Sequence, residues 1–298
     1  MNLEWELNKM NITQTLEKDV LDYGFVKLLN LSGPSRRFPS GEQVFDADDV
    51  DPAQVARISF DNFEQDRTHE QDERLYEYLL SNGHNTPVEM IETWWHMKMP
   101  IFVARQFVRH RTACINEVSA RYATLPEEWY IPAPQFVGVK SKSNKQGRSM
   151  GGEGTLQLAE DFCSALDLTC SDSYCEYQFW LAQGIAPELA RCFLHVNHYT
   201  HWIWKMDLSN LMHFMSLRCH SHAQWEAQQY GDAVYELLKQ FLPKSMQLFD
   251  EYKRKATPQE LTHLQEALLL LDYNAAQFDE PGEAMQTIRK FFKRLGVK

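Results

Sequence analysis

The sequence has no CxxC pair, no HExxH, no long apolar run and too little positive charge to balance its acids. Each absence removes a class of function. The six cysteines (Cys114, Cys163, Cys170, Cys175, Cys192 and Cys219) are scattered singly. Neither a thiolate zinc site nor a disulfide framework is expected from them, and reduced thiols suit the cytoplasm, or a host cytoplasm for a viral source. Without HExxH, the one metal candidate is His195, His198 and His201. Their i, i+3, i+6 spacing does not hold three ligands on one helical face, so no metal is expected. Apolar patches such as Ala267 to Leu271 fall far short of the roughly 20 residues that cross a bilayer, so no membrane span is expected. Met1 to Asp19 alternates polar and apolar residues, and no signal peptide is expected either. A formal net charge of −11 repels nucleic acid and anionic membranes alike. No internal repeat is present, which excludes solenoids and propellers.

What is there reads as an α+β protein. The 298 residues are 44% hydrophobic and 24% charged, enough to bury a core without staples. Tyr23 to Leu31 and the aromatic-rich Ile91 to Met99 read as strands. Val55 to Phe63 reads as a short helix or turn. His69 to Ser81 reads as a helix with Leu75, Tyr78 and Leu79 on its apolar face, stopped by Asn82-Gly83. Pro100 to Arg111 has helical character and leads into an irregular polar segment through Glu117. Gly138 to Thr155 is rich in Gly, Ser and Lys and reads as a mobile loop; its glycine spacing matches no nucleotide fingerprint.

From Leu156 onward the pattern is mostly helical, with Asp207 as an N-cap before Leu208, Leu211, Met212 and Met215. A further helix carries Tyr230, Val234, Leu237 and Phe241 and stops at Pro243. Thr257-Pro258-Gln259-Glu260 is a capping box. It opens a helix faced by Leu261, Leu264, Leu268 and Leu271, and a last helix uses Met285, Ile288, Phe292 and Leu295. Residues 1–256 are thus expected to form the main domain, and 257–298 a helical extension.

Basic residues are not evenly spread. Arg105, Arg109, His110, Arg111 and Arg121 face a single acid, Glu117, in one short stretch. Such an island on an acidic chain suits a small, highly charged anion. Within RHRTACINEVSARY (Arg109 to Tyr122), guanidinium forks can grip phosphate, while Asn116, Glu117 and Ser119 suit ribose hydroxyls and base edges. On a helix, Gln106 and Arg109 at i, i+3 point the same way.

These residues carry a specific resemblance. Arg109-His110-Arg111, seven residues, then Ser119 is similar to the RHR-x7-S motif of the flavin-dependent thymidylate synthases, the ThyX family. Three further segments resemble that family in the same order. They are Gly83 to Pro87 (GHNTP), Pro100 to Gln106 (PIFVARQ), and Leu217-Arg218 followed by Ser221 to Glu226 (SHAQWE). The resemblance implies a mixed sheet flanked by helices, with a helix-rich second half. It implies a homotetramer whose active sites are shared between subunits. It further implies dTMP formation from dUMP with FAD, with NADPH and 5,10-methylenetetrahydrofolate as co-substrates.

By the same resemblance, Gln106, Phe107, Val108, Arg109, Glu117, Val118, Ser119, Ala120, Arg121, Arg191 and Arg218 bind dUMP. Arg218 is the catalytic cation, beside uracil N3 and O2. Thr86, Arg109, His110, Arg111, Glu117, Asp207, Leu208, Ser209 and His213 contact flavin, and His84 lies close to it. The match departs from the commoner pattern at Cys114, where serine is frequent. It departs also at Asp207, Ser209 and His213, where many members have Asn, Arg and Asn. Ser119 reads as a binding residue rather than a nucleophile, because a nucleophile needs an adjacent base. Cys114 reads as a pocket-wall thiol, and His222 as either catalytic or a packing residue. Two alternatives remain at this stage: a related flavin and folate pyrimidine methylase or hydroxymethylase with another base choice, and a non-catalytic nucleotide- or RNA-binding module.

Overall fold

The computed structural model describes residues 16–33, 47–61, 67–141, 147–150 and 156–254. Seven strands are present among them: β1 (Glu17–Val20), β2 (Gly24–Ser32), β3 (Glu92–Pro100), β4 (Cys114–Glu117), β5 (Gly138–Lys140), β6 (Arg148–Met150) and β7 (Tyr199–Asp207). Five form one sheet in the order β1-β2-β3-β7-β4, and each of its ladders runs antiparallel. The eight described helices are α1 (Asp51–Ala56), α2 (His69–Ser81), α3 (Ile101–Phe107), α4 (Leu156–Ala182), α5 (Pro187–Ala190), α6 (Leu208–Arg218), α7 (Trp225–Phe241) and α8 (Pro243–Tyr252). The α+β class, with a sheet flanked by helices, is as the sequence leads one to expect.

Alternation along β3 explains which face the core takes. Thr93, Trp95, Met97 and Met99 are buried, while Glu92, Trp94, His96 and Lys98 point the other way. The register places Trp202, Trp204 and Met206 of β7 on the same inner face. Val26, Leu28 and Leu31 of β2 join them, the last after a bulge between Leu28 and Asn30 that leaves Leu29 outside. Helices α3, α6 and α7 supply Phe107, Phe214, Tyr230, Val234 and Leu237 to this core.

Two strands run straight into helices. β3 passes into α3 at Pro100, and β7 passes into α6 at Asp207, whose carboxylate accepts from the Asn210 backbone N–H at 2.9 Å. Asp207 is therefore the N-cap expected. Because β3 and β7 are antiparallel, α3 and α6 start from opposite ends of the strand pair. They meet at Phe107 and Phe214, whose rings are edge-on at 4.8 Å.

Several sequence expectations are corrected. In α2 the inner stripe is Asp72, Tyr76, Leu79 and Leu80, and Tyr78 is exposed. Counting apolar positions alone misses this register because Asp72 is inside, paired with Arg57. The helix expected over Pro100 to Arg111 stops at Phe107, and the segment up to Glu117 ends in strand β4 rather than irregular chain. Part of the expected mobile loop is the β5–β6 hairpin. Strand β7 interrupts the helical second half, so His201 lies on a strand and the three histidines share no helix. Around Val55, the helix ends at Ala56 and a single 3-10 turn continues to Phe60. The capping box at Thr257 and both helices after it lie outside the described residues.

Candidate active site

The turn after α3 carries the basic island. Phe107 is fully buried against Trp204 and Phe214, which anchors the helix end and forces Val108 to Ala113 out as a turn. Arg109 and Arg111 are exposed on that turn, while His110 between them points inward and is only 9% exposed. Its ring meets Phe214 at 4.9 Å and His213 at 6.4 Å.

Arg218, the last residue of α6, packs against this histidine. Its Nε–H donates to His110 Nε2 at 3.2 Å and an Nη donates to the Gln106 backbone carbonyl at 3.0 Å. Gly231 of α7 permits this approach: a Cβ there would lie 3.0 Å from the Arg218 Cβ and 3.1 Å from its carbonyl carbon. Burial lowers the Arg218 pKa without neutralising a guanidinium. For His110, burial first, then Arg218 and His213, push the pKa down to about 4. The imidazole is therefore neutral, with its proton on Nδ1 and Nε2 accepting from Arg218.

A second cluster forms around Glu188. Its carboxylate pairs with Arg121 at 3.3 Å, and its backbone carbonyl accepts from Arg191 Nε at 3.2 Å. The residues between Glu117 and Arg121 lead there from the edge strand. Val118 N–H donates to the His201 carbonyl, and Ser119 Oγ accepts from Arg121 N–H at 3.3 Å. Ser119 is bonded to no side-chain base among the described residues, consistent with a binding role. Glu117 accepts from the Thr200 hydroxyl at 2.6 Å, which fixes its carboxylate on the sheet edge.

The other expected positions are less uniform. Phe107 and Leu208 are fully buried, so only their main chains can reach a ligand. Both Asp207 carboxylate oxygens are taken by Asn210, through its backbone and its side-chain amide. Ser209 is half-buried and His213 exposed. His84 and Thr86 are exposed on the turn after α2, where His84 stacks on Tyr78. No hydrogen bond or ring contact among the described residues joins them to His110 or Arg121. Cys114 and His222 are exposed. No group of three or more His, Cys, Asp or Glu among the described residues is placed to hold a metal.

Sequence reasoning did not assign a role to Gln224, Glu226, Arg148 or Tyr130. Gln106 Nε2 donates to Gln224 Oε1 at 2.6 Å, and Gln224 Nε2 donates to Glu226 at 2.9 Å. Gln224 and Glu226 were visible only as members of the SHAQWE segment, because their partners are distant in sequence and Arg148 lay in a presumed loop.

Acid sensitivity follows from the buried histidines. Burial also holds His198 at about 4, against an ordinary value of 6.5. Between 6.5 and 4 the unfolded chain binds protons that these two imidazoles refuse. Stability is thus complete above the unfolded pKa and is lost as pH falls through that window, on the order of 3 kcal/mol per histidine. Urea unfolding at pH 7 and about pH 5 tests this. Equal stability at both would reject the neutral, buried assignment.

Residues 43–244 match the model of the family described as thymidylate synthase complementing protein. The chain is 39% identical over 241 residues to a flavin-dependent thymidylate synthase of Ruegeria pomeroyi, covering 78% of this chain and 73% of that protein. It is 40% identical over 259 residues to the flavin-dependent thymidylate synthase of Ehrlichia ruminantium, covering 84% of this chain and 80% of the relative. Among solved structures it is similar to a UMP/dUMP methylase, PolB, from Streptomyces cacaoi bound with 5-Br dUMP. The TM-score is 0.65 at 25% identity, over 78% of this chain and 97% of that one. The chain belongs to the flavin-dependent thymidylate synthases, a family of enzymes.

Proposed function

We propose that this protein methylates the uracil of dUMP to give dTMP, with FAD as its resident cofactor. The balanced reaction takes dUMP, 5,10-methylenetetrahydrofolate, NADPH and a proton to dTMP, tetrahydrofolate and NADP⁺. The observation that carries the reading is Arg218, a half-buried cation tied to His110 and Gln106 at the heart of the motif segments.

The residues present fit an anionic cofactor. Arg109 and Arg111 are exposed and pair with no carboxylate among the described residues, which leaves both guanidiniums available to an anionic ligand. With the exposed His84 and Thr86 they would hold the flavin, Ser209 and His213 adding contacts from α6. When bound, the flavin supplies the hydride needed to make a methyl group.

The chain's own groups do the rest. Arg218 places fixed positive charge beside uracil N3 and O2, stabilising the negative charge that develops as the ring is activated. Neutral His110 accepts one guanidinium bond and so aims the fork without adding a competing charge. Arg121 and Arg191, gathered around Glu188, suit the nucleotide phosphate, with Ser119 and the main chain at Val118 and Ala120 beside them. Gln106 and Glu117 contribute polar groups to the nucleotide, and no protein thiolate is required.

Self-assembly into a homotetramer with shared sites belongs to the same proposal. Leu158, Phe162, Leu168 and Phe179 of α4 and Leu189 and Val196 after it are exposed on the single chain. An apolar surface of that extent suits burial against further copies. The six free thiols suit a reducing, cytoplasmic setting.

The test is dTMP formation from dUMP and methylenetetrahydrofolate, with bound FAD stripped from the protein and NADPH omitted, each in turn. Product that needs both is the expected result; product without FAD would overturn the reading. UMP and dCMP belong in the same assay, since the Streptomyces cacaoi protein of similar fold is a UMP/dUMP methylase. Methylation of either in preference to dUMP would transfer the proposal to that base or sugar.

A further inference from the structure

Behind Gln106 lies a polar relay anchored on a buried carboxylate, whose members Gln224 and Glu226 fall in the SHAQWE segment with no role assigned to them there. Glu226, the second residue of α7, is only 2% exposed yet fully engaged. Arg148 of β6 grips its carboxylate with two nitrogens, at 2.7 and 3.2 Å, and the Tyr130 hydroxyl donates to it at 3.2 Å. The fourth donor is Gln224 Nε2 at 2.9 Å. The hairpin that delivers Arg148 is seated by a second contact, Phe136 stacked on Trp225 with ring centroids 4.0 Å apart.

The chemistry of the relay has one direction. An ionised carboxylate only accepts, so Gln224 must turn its NH2 toward Glu226 and its Oε1 away. That oxygen then faces Gln106 and takes its NH2 at 2.6 Å. With its NH2 end occupied, Gln106 has its carbonyl oxygen left for a ligand. Its main-chain carbonyl is meanwhile held by Arg218. A buried, bidentate Arg–carboxylate pair adds little stability for its cost, but it fixes geometry well.

We propose that Glu226, held by Arg148 and Tyr130, is a positioning residue that sets the amide orientation of Gln106 through Gln224, so that Gln106 presents an acceptor to an N–H or O–H donor of the bound nucleotide. This rests on the dUMP reading above. The specificity it confers is for a nucleotide with a donor at that place, and it predicts an effect on substrate binding rather than on the chemical step.

The experiment compares the wild-type holoenzyme with Gln224→Ala and Glu226→Gln, measuring KM and kcat for dUMP, flavin content and the dissociation constants of dUMP and 2′,3′-dideoxy-UMP. Gln224 is exposed, so its variant tests the relay even if Glu226→Gln fails to fold. The expected result for Gln224→Ala is a KM and a dUMP dissociation constant about tenfold higher, the value of one oriented hydrogen bond, with kcat and flavin content near wild type. A penalty that persists with the dideoxy nucleotide assigns the donor to the uracil imide; one that vanishes assigns it to the 3′-hydroxyl. Wild-type dUMP affinity in Gln224→Ala, or a loss confined to kcat or flavin content, overturns the relay while leaving the dUMP reading intact. A wild-type enzyme that binds no dUMP overturns both.

Discussion

Arg218→Ala is expected to keep its flavin and its fold while forming dTMP about 10²- to 10³-fold more slowly, the usual cost of removing a preorganised charge from a transition state. The guanidinium lies 5.9 Å from the centroid of the Phe107 ring and is half-buried, so its field is screened far less than that of an exposed arginine. It also donates to His110 and to the Gln106 carbonyl, and both acceptors lose that partner in the variant. Arg218→Lys should rescue little, since one ammonium cannot reproduce two bonds of fixed fork geometry. Of the flavin-facing candidates only His110 bonds Arg218; Arg109, Arg111, His84 and Thr86 make no hydrogen bond to it among the described residues, which is why flavin content should hold. Steady-state turnover with a flavin absorption spectrum on the same sample checks both halves. Near-normal kcat would remove Arg218 from the chemistry.

The second large effect is structural. Gly24→Ala should lower stability by about 3 kcal/mol or more, because the added methyl has nowhere to go. A Cβ at Gly24 would sit 2.0 Å from the Tyr230 hydroxyl, 2.6 Å from the Val20 carbonyl and 2.8 Å from the Lys98 carbonyl. The Tyr230 side chain is fixed by donating to that same Lys98 carbonyl at 2.9 Å. The two carbonyls belong to the strands on either side, so relief requires opening the β1–β2 turn or the β2–β3 ladder. For a chain of this size the melting temperature should fall by roughly 5 °C or more. An unchanged melting temperature would mean the sheet relaxes far more easily than its pairing suggests.

These two sites differ in how far the sequence announced them. Arg218 stands in an ordered set of motif segments, and the helix that ends on it was predicted from Leu208, Leu211, Met212 and Met215. Strand β3 was equally visible, because alternation and aromatic content both favour a pleat. Strand β7 was hidden. Its Tyr199, Thr200, Trp202 and Trp204 follow a largely helical stretch and include one histidine, His201, and only pairing with β3 and β4 makes the segment extended. Gly24 gave no signal, since what fills the space above it comes from Lys98 and Tyr230.

The sequence by itself determined the family, the basic island at Arg109 to Arg111, the N-cap at Asp207 and the main runs of helix and strand. Those features are local: a motif is a string, a cap is set by three residues, and periodicity is read within one element. The tertiary structure decided which charges are spent and which remain for ligands. It turned His110 inward and neutral, tied Arg218 to it, gathered Arg121 and Arg191 at Glu188, and set Glu226 and Arg148 behind Gln106. Each of these depends on desolvation and on partners tens of residues away, quantities that no single stretch of chain contains.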